Sequence, residues 1–247
     1  MKCWLSKKAT AQINIKMRSK KSIGIIGCGW LGKPLSCTLA DDFAVECFSR
    51  EDTTDTSAFW QSDTIIIAIH TKDNYIKTLQ KIITLAKPTC NFILMSSTSI
   101  YREFDSAVDE SAIITKTSLI KEAEELLLNS KKSVLVLRLG GLMGEDRIAG
   151  RWKSATDFSD GFVNYIHRDD VINIVKLMMQ KGITKGIYNL VAPNHPLRSE
   201  IHQKNSEDFG FALGTFEGMT KREVISDKLV KDLDYTFLHP NPLNFWN

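Results

Sequence analysis

Three glycines in a short segment carry the strongest chemical signal in the sequence. They form the pattern GxGxxG, and they are Gly27, Gly29 and Gly32. A strand is predicted over 22–26 and a helix over 31–39, which is the context that this pattern needs. The first glycine permits a tight turn, the second lets backbone approach a pyrophosphate, and the third lets helix and strand pack closely. Because a helix N-terminus also attracts anions, we predict that this turn, with Trp30 and Leu31 inside it, binds a dinucleotide.

The end of the second predicted strand, over 43–48, indicates which dinucleotide. NAD-binding proteins usually place an acidic residue there to hold the ribose 2′-hydroxyl. Here the strand ends at Ser49 and Arg50, and Glu46 lies in mid-strand. A hydroxyl and a guanidinium suit a 2′-phosphate. The sequence therefore predicts NADP as the preferred cofactor and NAD as the alternative, although Arg50 is also explained as a solvated loop charge.

Polar side chains follow two further predicted strands. His70 comes directly after a β-branched strand, and Ser96 and Ser97 end the next one. Because ligands bind at the carboxyl ends of parallel strands, we expect Ser97 to orient a substrate and Ser96 and His70 to contact the cofactor. His70 is also an acid/base candidate, since imidazole titrates near neutrality. The plainer alternatives are a local backbone hydrogen bond for Ser97 and a loop contact for His70.

Strands and helices must alternate along the chain to position these residues. Strands are predicted over 22–26, 43–48, 64–69, 91–96, 133–139 and 186–191. Helices are predicted over 31–39, 74–86, 118–128, 170–181, 199–209 and 226–233, with Asp170 as an N-cap and Gly182 as a left-handed C-terminal residue. This alternation predicts an α/β fold: a Rossmann-type, doubly wound parallel sheet with helices on both faces. We expect a small C-terminal substrate lobe from about 142–166 and 184–247.

Charge and hydropathy limit the partners. The 247-residue chain has a formal net charge of +3, but residues 1–21 contain seven basic residues and no acidic one. The body, 22–247, is therefore mildly acidic, unlike a nucleic-acid-binding domain. The longest apolar run, 65–69, is five residues, too short for a membrane span. We expect a small-molecule substrate, no nucleic-acid or membrane partner, and a monomer or homodimer.

Residues 1–21 allow several interpretations. A basic segment of this kind serves as a nucleic-acid arm or a targeting peptide in some proteins. The plainest interpretation is a disordered extension upstream of an alternative start at Met17.

The cysteines predict a reducing compartment. There are five, an odd number, and none is in CxxC spacing: Cys3, Cys28, Cys37, Cys47 and Cys90. No cluster of histidines accompanies them. We therefore predict no disulfide and no metal site, and a cytoplasmic location.

Several motifs in order resemble the extended and atypical short-chain dehydrogenase/reductase proteins, which include sugar-nucleotide epimerases and dehydratases, and most of all their YeeZ-like subgroup. The resemblance covers about 22–245. The segments that carry it are the glycine-rich turn, Ser96-Ser97-Thr98-Ser99-Ile100-Tyr101, Asp109-Glu110, Leu137 to Gly144, Val163 to Val171, Tyr188-Asn189 and Ser226 to Leu229. It implies a fold that binds NAD or NADP and a role for Ser97 at the substrate hydroxyl or carbonyl.

The same resemblance implies a tyrosine base with a lysine four residues later, and this chain lacks that pair. A tyrosine with an ordinary pKa is a poor base at neutral pH, so the lysine matters. None of the five tyrosines is followed by a lysine at that spacing, and the two family positions correspond to Lys116 and Ile120. Lys116, if buried, and Tyr101 are the remaining candidates for a base, although Tyr101 is also explained as a packing aromatic.

A second departure concerns the sheet. Only about 15 residues separate Ser49 from Thr64, which leaves no room for the family's next helix and third strand. We expect a truncated, open adenine side of the pocket, with weakened affinity for the cofactor or none.

Two classes of function remain after this comparison. One is an NAD(P)-dependent oxidoreductase or epimerase acting on a small or nucleotide-linked hydroxyl or carbonyl compound. The other is a non-catalytic dinucleotide-binding, scaffold or sensor protein. A hydroxyacid-dehydrogenase-like protein is a third interpretation, but it requires a large helical C-terminal domain that the strand over 186–191 does not favour.

Overall fold

The computed structural model describes residues 20–49, 58–71, 74–151 and 157–246. The strands of these residues are β1 (Ser22–Ile26), β2 (Ala44–Phe48), β3 (Thr64–Ile67), β4 (Asn91–Ser97), β5 (Ala107–Val108), β6 (Val134–Leu139), β7 (Gly141–Met143), β8 (Asp157–Gly161), β9 (Tyr165–His167), β10 (Gly186–Leu190), β11 (Thr215–Thr220) and β12 (Glu223–Val224). The helices are α1 (Gly32–Leu39), α2 (Tyr75–Leu85), α3 (Leu119–Leu128), α4 (Arg168–Lys181), α5 (Arg198–Phe209) and α6 (Asp227–Leu233).

Six parallel strands form the central sheet, in the order β10-β6-β4-β3-β1-β2. Helices α1, α4 and α6 pack on one face of it, whereas α2 and α3 pack on the other. The predicted α/β, doubly wound fold is therefore confirmed. Among the described residues the sheet ends at β2, and residues 50–57, where the chain continues, lie outside them. The prediction that the family's third strand is missing therefore stays a prediction.

The core is built from strands that are buried on both faces. All six residues of β6 and all four of β3 are buried, as expected for the interior of a parallel sheet covered by helices. Alternate residues face opposite sides: Ile25 belongs to the layer under α1 and α4, and Ile26 belongs to the layer under α2 and α3. These two layers hold the carboxyl ends of the strands in fixed register.

Short strand pairs lie outside the central sheet. They are β7 with β9, β8 with β11, and β5 with β12, all parallel, and α5 packs against β8. A small apolar cluster that includes Met143, Tyr165 and Ile201 joins this region. One strand of the predicted segment 184–247, β10, belongs to the central sheet. The boundaries of the substrate lobe stay a prediction.

None of the described helices is long and apolar enough to span a membrane.

The prediction that Asp170 caps α4 was wrong. The helix begins at Arg168, and the ring Nδ1 of His167 accepts the Asp169 N–H at 3.2 Å. Asp170 is fully buried, and its carboxylate accepts hydrogen bonds from the C-terminal segment 235–239. An aspartate near the start of a helix can cap that helix or accept hydrogen bonds from another segment. Which of the two Asp170 does depends on the position of the segment 235–239. Gly182 is left-handed with φ 71°, as predicted.

The prediction of no disulfide was also wrong, because Cys28 and Cys47 are disulfide-bonded with their Cα atoms 5.8 Å apart. The parallel pairing of β1 with β2 brings the end of β2 beside the turn after β1, although the two residues are 19 apart in sequence. Spacing along the chain gives no sign of this contact. Cys37 and Cys90 are free thiols, exposed and buried respectively.

Candidate functional site

The glycine-rich turn has the geometry that dinucleotide binding requires. Gly27 has φ +106°, and a Cβ there would collide with the carbonyl oxygen of Ala68. A Cβ at Gly32 would collide with the carbonyl oxygen of Gly27. A Cβ at Gly29, in contrast, would meet nothing within 4 Å. Two of the glycines are therefore needed by the fold itself, whereas Gly29 faces open space where a ligand can approach the backbone.

The start of α1 suits an anion. Leu31 occupies the N-cap position and supplies no side-chain hydrogen bond, and the first turn of the helix contains no acidic residue. Hence no carboxylate from the first turn of α1 itself neutralises the positive end of the helix dipole. A pyrophosphate placed over Gly29 would fit this end of α1.

Trp30 is held against a loop from the other side of the site. Its indole Nε1 donates to Asp146 Oδ1 at 2.6 Å. The guanidinium carbons of Arg147 and Arg168 lie 4.1 and 4.7 Å from its ring centroid, within cation–π range. Residues 144–147, which we call the arginine loop, thus lie beside the glycine-rich turn. Arg147 therefore lies beside the candidate dinucleotide site.

The predicted 2′-phosphate residues lie at the end of β2. Ser49 directly follows Phe48 and is half-buried, whereas Arg50 lies outside the described residues. Glu46 is exposed in mid-strand. The described structure therefore places one of the two predicted groups next to the glycine-rich turn.

The two serines at the end of β4 point in different directions. Ser97 Oγ accepts the Ser99 N–H at 3.1 Å and caps a short 3-10 turn over Thr98–Tyr101. Ser96 is buried and its Oγ donates to Glu124 Oε1 at 2.5 Å. The side chain of Ser96 is therefore engaged with α3, in the direction away from a bound cofactor. His70, by contrast, is exposed after β3 at the same edge of the sheet.

Tyr101 is fully buried in a polar network. Its hydroxyl donates to Asn189 Oδ1 at 3.0 Å and accepts from Arg138 Nη1 at 2.5 Å. Burial raises the pKa of Tyr101, although the Arg138 charge and hydrogen bond oppose that shift. A buried tyrosine with a raised pKa is a poor base, so this geometry favours the packing role.

The sequence analysis missed the centre of that network, the ion pair between Glu124 and Arg138. Both side chains are buried, and Arg138 Nη2 lies 2.7 Å from Glu124 Oε2. A signal was present, because Arg138 stands within an apolar strand and Glu124 follows Ala123 on the apolar stripe of α3. A charge at an inward position of either element indicates a buried partner.

Lys116 and Ile120, the residues predicted to correspond to the family's tyrosine and lysine, have different surroundings. Lys116 is exposed, and its backbone N–H lies 3.4 Å from Glu103 Oε1. Ile120 packs against the cluster that contains Ile100 and Tyr101. Lys116 thus lacks the burial that the sequence analysis required of it for an acid/base role.

One group of side chains has the separation of metal ligands. His167, Asp169 and His239 each offer a ligand atom within 4.8 Å of the others. Nδ1 of His167 is already the acceptor that caps α4, and the two imidazole rings stack with centroids 3.7 Å apart. The geometry is explained by helix capping and ring stacking.

Comparison with known proteins agrees with the resemblance that the order of the sequence motifs indicated. No protein-family model matches the chain. Protein YeeZ of Escherichia coli strain K12 is 26% identical, and the match covers 90% of this chain and 98% of that protein.

Solved structures share the fold at low identity. UDP-glucuronic acid 4-epimerase from Bacillus cereus, in complex with NAD, has a TM-score of 0.71 and 16% identity, covering 91% of this chain and 97% of that one. Human epimerase family protein SDR39U1 (isoform 2), with NADPH, has a TM-score of 0.70 and 15% identity over 91% and 97%. A short-chain dehydrogenase/reductase superfamily protein from Agrobacterium tumefaciens, with bound NAD, has a TM-score of 0.69 and 13% identity over 90% and 94%. The chain is therefore similar to protein YeeZ over most of its length and has the fold of the short-chain dehydrogenase/reductase proteins, as the order of its motifs predicted.

Proposed function

We propose that this protein binds a nicotinamide dinucleotide at the glycine-rich turn, with NADP preferred over NAD. The observation that carries the proposal is the contrast among the glycines: a Cβ at Gly27 or Gly32 collides with backbone, whereas one at Gly29 meets open space. Packing therefore does not account for Gly29, but the approach of a pyrophosphate does. Ser49 at the end of β2, followed by Arg50, supports the NADP preference.

We further propose that the bound cofactor serves an oxidoreductase or epimerase reaction on a small or nucleotide-linked hydroxyl or carbonyl compound. When bound, the nicotinamide supplies hydride transfer. Ser97 accepts a backbone N–H through Oγ, so its own O–H remains able to donate to a substrate oxygen. His70, exposed at the same edge, is the second side chain that we propose to act in the reaction.

A specific observation favours the alternative, a non-catalytic dinucleotide-binding protein. Tyr101 is buried against Arg138, Lys116 is exposed, and Ile120 occupies the position of the family's lysine. The acid/base pair that lowers the barrier in related enzymes is thus replaced by a structural network. In that case the open turn would sense or store the cofactor.

The first experiment is a calorimetric titration of the full chain with NADPH and NADH. We expect saturable binding, tighter for NADPH, and an at least tenfold loss of affinity in Gly29→Val. Cys37→Ala, on the exposed side of α1, is the matched control and should bind normally. Arg50→Ala should reduce the preference for NADPH. If neither cofactor binds at millimolar concentration, the proposed function is wrong.

Turnover separates the enzyme from its alternative. A panel of hydroxyl and carbonyl compounds would be followed by NADPH absorbance, with Ser97→Ala and His70→Ala as test variants. Activity that falls in these variants while NADPH affinity is retained supports catalysis. Tight binding without turnover across the panel favours the sensor.

A further inference from the structure

The disulfide lies inside the candidate cofactor site. Cys28 stands between Gly27 and Gly29, the two residues that shape the pyrophosphate side of the turn. Cys47 is the penultimate residue of β2, one residue before Phe48 and two before Ser49. The bond therefore joins the predicted pyrophosphate segment to the predicted ribose segment.

Other contacts hold the turn on either side of Cys28. The Gly27 N–H donates to the Phe48 carbonyl at 3.0 Å, and Trp30 is tied to Asp146 and to the arginine loop. The Lys33 N–H already donates to the carbonyl of Gly29, at 3.0 Å. Between these anchors, the side chain of Cys28 is the covalent link from the turn to β2. The bond therefore adds a covalent link to the hydrogen bonds that hold the turn beside β2.

We propose that Cys28 and Cys47 form a reversible thiol–disulfide pair that controls the affinity of the glycine-rich turn for its dinucleotide. The inference rests on the proposed cofactor binding. The disulfide form fixes the turn next to β2, so binding does not have to order it. The dithiol form must order the same backbone when the cofactor binds, and this cost lowers its affinity.

The chemistry needs a thiol-specific oxidant, and a low-molecular-weight disulfide such as oxidised glutathione supplies it. The thiolate of one cysteine attacks a sulfur of that reagent, forms a mixed disulfide, and releases one reduced thiol. The second cysteine thiolate attacks the protein sulfur of the mixed disulfide and releases the other reduced thiol. Two electrons pass from the protein to the reagent, and the two protons lost by the cysteines are recovered by the released thiols.

The remaining described cysteines make the pair selective. Cys90 is buried, and burial raises the pKa of its thiol to about 11, so it holds little thiolate at neutral pH. Cys37 is exposed on α1 and is a free thiol. Cys28 and Cys47 are both half-buried at the edge of the sheet, within reach of a small reagent. Cys37 is therefore a second accessible thiol, and it must be removed before the thiols of the pair are counted.

The test uses the full chain in a background of Cys3→Ser, Cys37→Ser and Cys90→Ala, which leaves only the pair. Samples are equilibrated in buffers of oxidised and reduced glutathione, and the thiols are alkylated and counted by mass spectrometry. The affinity for NADPH is measured calorimetrically on the oxidised and on the reduced sample. Cys28→Ser and Cys47→Ser, made separately in the same background, remove the bond with little change in side-chain volume.

We expect the pair to oxidise together, in one two-electron step, and NADPH to bind the disulfide form about fivefold more tightly than the dithiol form. Both serine variants should bind like the dithiol form in the reducing buffer, where their single remaining thiol does not form a mixed disulfide with glutathione. The proposal is overturned if the thiols stay reduced in oxidised glutathione. Equal affinities, or tighter binding to the dithiol, overturn it as well. Failure of both forms to bind NADPH and NADH instead rejects the proposed function, and the thiol count then still reports whether the pair oxidises.

Discussion

Arg138 and Glu124 form a buried ion pair beneath the end of β4, with Nε of Arg138 at 3.1 and 3.2 Å from the two carboxylate oxygens and Nη2 at 2.7 Å from one of them. The pair joins β6 to α3, and the hydroxyls of Ser96 and Tyr101 complete its hydrogen bonds. Since removing charge from water is costly, a pair of this kind persists only when its polar atoms are satisfied. The network therefore fixes the positions of β4, β6 and α3 at the edge where ligands bind.

Breaking the ion pair should cost much more than removing an exposed charge. Glu124→Ala leaves Arg138 buried without its carboxylate, and we expect the free energy of unfolding to fall by about 3–5 kcal/mol. The matched control is Glu125→Ala on the same helix, whose side chain is 60% exposed and lies 3.7 Å from Lys121; it should change stability by no more than about 1 kcal/mol. Urea denaturation measures both, and equal losses would contradict the assigned role.

The glycines of the turn should separate into structural and ligand-facing positions. Gly32→Ala places a Cβ against the carbonyl of Gly27, so we expect a loss of about 1–3 kcal/mol in stability. In Gly29→Ala the new Cβ meets open space, so we expect the free energy of unfolding to change by no more than about 1 kcal/mol. A small increase in stability also agrees with this interpretation, because alanine restricts the unfolded chain. Thermal and urea unfolding of the two variants would test this, and similar destabilisation of both would reject the open-site interpretation.

His202 should make the protein less stable in mild acid. Burial lowers its pKa from an ordinary 6.5 to about 4 in the folded state, and the nearby Arg198 charge adds to that shift. Between about pH 6.5 and pH 4, the His202 imidazole therefore binds a proton in the unfolded chain but not in the folded protein. The contribution of the neutral His202 side chain to the free energy of unfolding is complete above pH 6.5 and is lost as the pH falls. The loss is about 2 kcal/mol between pH 7 and pH 5.

The measurement is urea denaturation at pH 7, 6 and 5 for the natural protein and for His202→Leu. The variant should show a shallower loss of stability over this range, whatever its stability at pH 7. A parallel decline in both proteins would mean that other groups cause the acid sensitivity.

Asp170 should hold the C-terminal segment. Its carboxylate accepts from the Tyr235 hydroxyl at 2.8 Å and from the backbone N–H groups of Leu238 and His239 at 2.8 and 3.0 Å. Asp170→Ala leaves these donors without their acceptor, and we expect a loss of about 2–4 kcal/mol. Limited proteolysis should then cut near 235–239. Asp169→Ala, a half-exposed neighbour, is the control and should leave this segment protected.

Much of the site was predictable because its signals are local. The tight turn at Gly27, the packing at Gly32 and the open backbone at Gly29 follow from the backbone demands of one short segment. The position of His70 at the edge of the sheet likewise follows from the end of one strand. By contrast, the direction of Ser96 and the burial of Tyr101 depend on α3 and β6, which lie far along the chain.

The parallel α/β architecture and the place of the glycine-rich turn could be predicted from the residues, because hydrophobic periodicity and glycine spacing act over a few residues. Which polar groups meet depends on how the elements pack, and the pairs are Glu124 with Arg138, Asp170 with the segment 235–239, and Cys28 with Cys47. Each of these contacts joins elements whose register depends on the packing of the whole sheet, and residue spacing along the chain carries no record of that register.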